Sequence, residues 1–176
     1  MNQPMRALTG AILAAALLWA TPAGAQIKRV VVRVDGLSCP FCAYSLEKGI
    51  KRVKGTGGPV INVEKGVVTL TPITGQRVRF DDLRAAVSKA GFTPREVRVE
   101  GVGRIESVGD RYALVSEDDR RLFFLAPNEV LSGVLSAAGR IIEFNGTLVD
   151  RKAGEDSAVR TLALVAAAAR EGTDAK

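Results

Sequence analysis

The chain has 176 residues and a formal net charge of +6, with no histidine, two cysteines and two methionines. Without imidazole it lacks the usual general base and the commonest metal ligand. Met1 and Met5 both lie at the very start, so soft-metal or thiol chemistry in the rest of the chain must pass through Cys39 and Cys42.

The first residues read as a targeting signal. Arg6 is the only charge before Lys28, an apolar run spans residues 11–20, and Thr21-Pro22 then precedes Ala23-Gly24-Ala25. This is the three-part pattern of a secretory signal peptide over residues 1–25, with cleavage near Ala25. The apolar run is shorter than the roughly 20 residues of a membrane span. The expected location is periplasmic or secreted, with no stable membrane insertion of the mature chain. In an oxidising compartment a neighbouring thiol pair closes to a disulfide unless a metal or a reductant holds it open. A purely structural bridge is a poor alternative, because so small a loop gains little from closure.

The mature chain reads as two units. Residues 26–100 are net basic and residues 101–176 slightly acidic, with the change near Gly101-Val102-Gly103. Alternation predicts a first strand over Ile27–Val34, with Val30, Val32 and Val34 on its core face. A helix then starts with Cys39 as N-cap and Pro40 at the first position. Ala43, Leu46, Ile50 and Val53 form its buried face, and Gly55 and Gly57-Gly58-Pro59 end it. Strands at Val60–Val63 and Val67–Leu70 flank the turn Glu64-Lys65-Gly66. A second helix is expected with Asp81 or Asp82 as cap and Leu83, Val87 and Ala90 facing inward, closed by Gly91. Glu96–Val99 is the last strand. The order is the split βαβ, or ferredoxin-like, arrangement.

Residues 101–170 read as strands at Gly103–Val108, Arg111–Ser116 and Arg121–Leu125, a helix over Asn128–Ala138, and strands at Arg140–Asp150 and Ser157–Ala167. An alanine-rich helix over Leu162–Ala169 is the alternative for the last. Three strands, a helix and two strands predict a small OB-like β-barrel, and residues 171–176 a disordered tail. The fold class is therefore α+β. Tyr112, Phe123, Phe124 and Phe144 are expected in the core rather than as stacking platforms, and export argues against nucleic acid as a partner. Docking a partner or dimerising is the expected role of this unit.

No catalytic constellation is visible, so the chain is not expected to be an enzyme. Gly36-Leu37-Ser38-Cys39-Pro40-Phe41-Cys42 carries the chemistry. A helix start stabilises thiolate over thiol, and Lys48, Lys51, Arg52 and Lys54 add positive potential. Two thiolates leave zinc short of its four ligands, even with Asp35 nearby, but suit two-coordinate Cu(I) or Hg(II). Leu37, Phe41 and Phe92 are expected to shield the site and hold its loop. The competing reading is thiol–disulfide exchange, because Cys-Pro-Phe-Cys is similar to glutaredoxin active sites.

Over residues 27–100 the chain resembles the heavy-metal-associated domain of periplasmic mercury scavengers, copper chaperones and metal-pumping ATPases. The resemblance rests on residues 36–42, similar to the family's Gly-Met-Thr/Ser-Cys-x-x-Cys, on Leu46 and Ile50, and on Leu83 with Lys89-Ala90-Gly91-Phe92. Leu37 stands where the family has Met. The resemblance implies one soft metal ion on Cys39 and Cys42, Cu(I) or else Hg(II), with Gly36, Leu37, Ser38 and Phe92 supporting the loop. It also implies a metal-donor or metal-acceptor protein as partner, a membrane transporter among the candidates. The basic balance of the first unit reads as a solvated face, and its functional alternative is steering toward the acidic surface of a metal donor or acceptor.

Overall fold

The computed structural model describes residues 26–116, 121–150 and 160–169. The expected leader, the Glu117-Asp118-Asp119 turn, the start of the last predicted strand and the expected tail lie outside the described residues. In chain order the elements are β1 (Ile27–Asp35), α1 (Pro40–Ile50), β2 (Val60–Asn62), β3 (Val67–Leu70), α2 (Phe80–Lys89), β4 (Thr93–Val108), β5 (Arg111–Ser116), β6 (Arg121–Leu125), α3 (Glu129–Val134), β7 (Ile141–Leu148) and β8 (Arg160–Ala169).

The first six elements form the ferredoxin-like part. β1 lies between β3 and β4, antiparallel to both, and β2 pairs on the outer side of β3. In register, Val30 sits between Leu70 and Val99, and Val32 between Val68 and Val97. All six side chains are fully buried. Leu46 and Ile50 from α1, with Leu83 and Val87 from α2, close over this face and are fully buried as well. At roughly 25 cal/mol per Å² of apolar surface, that layer is the main stabilising term for this half. On the opposite face Arg29, Arg33 and Asp35 are exposed.

α2 begins earlier than the aspartates suggest. Its N-cap is Arg79, which makes no side-chain capping bond, and Asp81 and Asp82 fall inside the first turn. Phe80 explains the shift. It is 3% exposed and packs against Phe123, so its burial sets where the helix starts. The aspartates then serve the positive helix end instead of capping it.

The predicted strands Glu96–Val99 and Gly103–Val108 are one strand, the 16-residue β4. Its first part pairs with β1, its middle with β7 and its end with β5. β5 then pairs with β6, β6 runs parallel to β8, and β8 pairs antiparallel with β7. β4, β5, β6, β8 and β7 thus make a closed ring of hydrogen-bonded strands. The alanine-rich segment is strand, not helix. Leu162 and Leu164 point into the ring and are buried, while Val165 is 52% exposed. The expected helix after β6 is α3, capped by Asn128 accepting from Leu131 N–H, followed by a 3-10 turn at Leu135–Ala137. Phe123 and Phe144 are core, as expected. Tyr112 is instead 36% exposed, and Phe124 lies half-buried beneath the Arg111 guanidinium at 3.8 Å.

Candidate metal centre

Both thiols sit where β1 hands over to α1. Gly36 turns the chain with φ +87°, a conformation that favours glycine, and its carbonyl accepts from Ser38 N–H at 3.0 Å. Leu37 is 5% exposed and anchors the loop in the core, whereas Ser38 points outward. Cys39 is the extended N-cap of α1, and Pro40 opens the helix. The Cys39 thiol accepts from Cys42 N–H at 3.3 Å, filling one of the donors a helix start leaves free.

The two cysteines are free and half-buried. Cys42 Sγ donates to Cys39 Sγ across 2.8 Å. That bond is the first cause holding the Cys39 thiol below its ordinary pKa, followed by the Cys42 N–H; burial opposes the shift and the Phe41 N–H adds to it. Cys42 is pushed up, first because its proton is held by Cys39, then by burial and by the Cys39 charge. The pair therefore gives up its first proton more easily than a lone cysteine and its second less easily.

The supporting residues separate into two groups. Phe92 follows the end of α2, where its N–H bonds to Val87 O at 3.2 Å, and its ring lies half-buried against the core. A Cβ added to Gly36 would lie 3.7 Å from that ring, so Phe92 backs the loop directly. Phe41 does not shield the thiols, because it is 91% exposed. Two residues round a helix are about 200° apart, so with Ala43 facing inward Phe41 must face out. Asp35 is taken up elsewhere, accepting from Arg95 Nε at 2.6 Å. Among the described residues no group of three or more His, Cys, Asp or Glu could hold a metal ion together. Sequence reasoning also passed over Tyr44, which is 69% exposed one turn beyond Phe41. The spacing of the buried positions on α1 places it on the outer face.

No family model matches the chain. The N-terminal part resembles a heavy-metal-associated domain. Over 74 residues, 39% of this chain, it is 31% identical to a probable cadmium-transporting ATPase of Listeria monocytogenes, of which it spans 10%. Among solved structures it is similar to the CopZ metallochaperone, at 21% identity and a TM-score of 0.35, covering 38% of this chain and 98% of that one. It is likewise similar to a copper-binding domain from HMA7, a P-type ATPase, at 20% identity and a TM-score of 0.35, covering 39% of this chain and 90% of that one. Among the described residues no helix is long and apolar enough to cross a membrane.

Proposed function

We propose that the chain is an exported carrier that holds one soft metal ion, Cu(I) or Hg(II), between Cys39 and Cys42 and hands it to a partner without catalysing a reaction. The observation that carries this reading is the free thiol pair at the start of α1, 2.8 Å apart and with its first proton loosened. Metal displaces thiol protons on binding, so an easily lost first proton favours uptake near neutral pH. With metal–sulfur bonds of about 2.3 Å, an ion between the sulfurs requires them to part by about 1 Å or more. Half-exposed thiols at a helix start leave room for that movement and for a partner's ligands during transfer. The partner is a metal-donor or metal-acceptor protein, with a metal-transporting membrane protein the first candidate, in keeping with the name of the curated relative.

Residues 26–100 serve as the metal unit and residues 101–170 as an OB-like barrel built on the second half of the shared strand β4. The strand circuit, its parallel β6–β8 pair and the helix between β6 and β7 support that reading. An exported location speaks against nucleic acid as its ligand, which leaves docking a partner or dimerising as its role.

Reduced protein titrated with Cu(I) should take up one equivalent, and Cys39→Ser and Cys42→Ser should each lose several orders of magnitude in affinity. Against a calibrated chelator, Cu(I) should outcompete Zn(II) by a similar margin. Unchanged binding in the double variant would remove the carrier reading.

Thiol–disulfide exchange is the second reading, favoured by the unequal thiols. The antiparallel pairing of β1 with both neighbours speaks against it, since thioredoxin-like sites sit on parallel βαβ units. Turnover in an insulin-reduction assay, without stoichiometric metal uptake, would install it.

A further inference from the structure

The outer face of α1 joins two features that the metal centre does not use. Phe41 and Tyr44 are 91% and 69% exposed. A spacing of four residues carries that stripe on to Lys48, and Arg52 lies in the turn just past the end of α1. Lys48, Arg52 and Lys89 line a groove of about 590 Å³ between α1 and α2, floored by small residues such as Gly49 and Ala86. None of these three cations has an ion-pair partner among the described residues. The carboxylates nearby are already engaged, Glu47 with Lys51 at 2.6 Å and Asp82 with Arg79 at 2.8 Å. The face is thus an aromatic tip with a cationic shoulder.

Protruding rings beside unpaired cations match the interface of an anionic bilayer. Aromatic side chains settle at headgroup depth, and lysine and arginine attract anionic headgroups. Lys48 lies about 10 Å along the helix from Phe41, comparable with a Debye length of about 8 Å, so it feels the surface when the ring is inserted. A bilayer receives a free-standing ring without a shaped cavity, whereas a protein partner would have to supply one. We propose that this face docks the protein reversibly on anionic lipid, with Phe41 and Tyr44 in the headgroup layer and Lys48, Arg52 and Lys89 above it. The docking itself needs no metal. Its use rests on the carrier reading, because it would bring Cys39 and Cys42 to the membrane plane where an embedded acceptor presents its own ligands.

The test uses the chain from Gln26, the form that the expected cleavage leaves, so that the apolar leader does not contribute. It is mixed, metal-free and reduced, with vesicles of equimolar phosphatidylglycerol and phosphatidylethanolamine and with phosphatidylcholine vesicles. Co-sedimentation with the anionic vesicles is expected, with binding to phosphatidylcholine weaker by about tenfold or more and strong loss in high salt. Phe41→Ser/Tyr44→Ser and Lys48→Glu/Arg52→Glu/Lys89→Glu should each weaken binding by about tenfold or more while keeping the wild-type circular dichroism. Equal binding to both vesicle types, or a double aromatic variant that binds like wild type, overturns the proposal. So does binding to polyglutamate but not to anionic vesicles, which would assign the face to an acidic protein. Cu(I) affinity is measured separately without lipid, so either reading can fail while the other stands.

Discussion

Cys39 has two tasks at one atom, because its sulfur caps α1 through Cys42 N–H and also accepts the Cys42 thiol proton. The first task is legible in the sequence, where a small polar side chain precedes proline at a helix start. The second is not, since the direction of a thiol–thiol bond depends on how the first turn aims both sulfurs. It has a measurable consequence. In a thiolate-absorbance titration of reduced, metal-free protein, two steps are expected, one below and one above the ordinary cysteine value. Cys42→Ala should move Cys39 upward, because its largest lowering cause is gone, and Cys39→Ala should move Cys42 down. Between the lowered and the ordinary value the wild type carries fewer protons to displace, so metal uptake there should be less pH-dependent than in a model peptide. A single step at the ordinary value would show that the two thiols do not share a proton. Phe41 gives the opposite lesson. Its place between two candidate ligands suggested a shield, but helical geometry turns it to solvent.

Glycine means different things in different elements. Gly55, read as a helix stop, adopts φ +82°, and a Cβ there would lie 2.2 Å from Arg77 O. Gly55→Ala should therefore destabilise the protein by more than about 2 kcal/mol in urea denaturation, through both backbone strain and collision. Gly58→Ala is the control, with nothing within 4 Å of the added carbon, and should stay within about 0.5 kcal/mol. Equal effects would mean that the α1–β2 connection is not packed as described. Gly101 and Gly103, at the expected junction, lie inside β4. A Cβ on Gly101 would be 2.4 Å from Gln26 O, and one on Gly103 would be 2.9 Å from the Leu114 side chain. The residue that marks a turn is also the one a strand needs where another chain segment comes close. Sequence pattern alone does not separate the two.

At the scale of the molecule, α2 is held by the strand ring as well as by its own sheet. Arg121 is 9% exposed, donates to Val78 O at 2.6 Å and lies over the Phe80 ring at 4.7 Å. Arg160 pairs with Asp81, and Arg84 pairs with Asp150 at 2.8 Å. With their carboxylates exposed, these two pairs contribute little each, but a buried guanidinium bound to a carbonyl leaves an unmet acceptor when removed. Arg121→Ala should cost about 3 kcal/mol. The two tyrosines report separately, Tyr44 on α1 and Tyr112 on β5. Their fluorescence should follow one unfolding transition in urea, whereas two separated midpoints would show that the halves unfold independently. The sequence by itself determined the alternating and helical patterns of both halves, the N-cap at Cys39 and the absence of any soft or imidazole ligand other than the two thiols after residue 5. These are local properties, set by side-chain period, turn chemistry and composition. Only the tertiary structure decided where α2 begins, that β4 serves both halves and that Asp35 belongs to Arg95. Each of those depends on a partner distant in the chain, and a linear pattern does not say which partners meet.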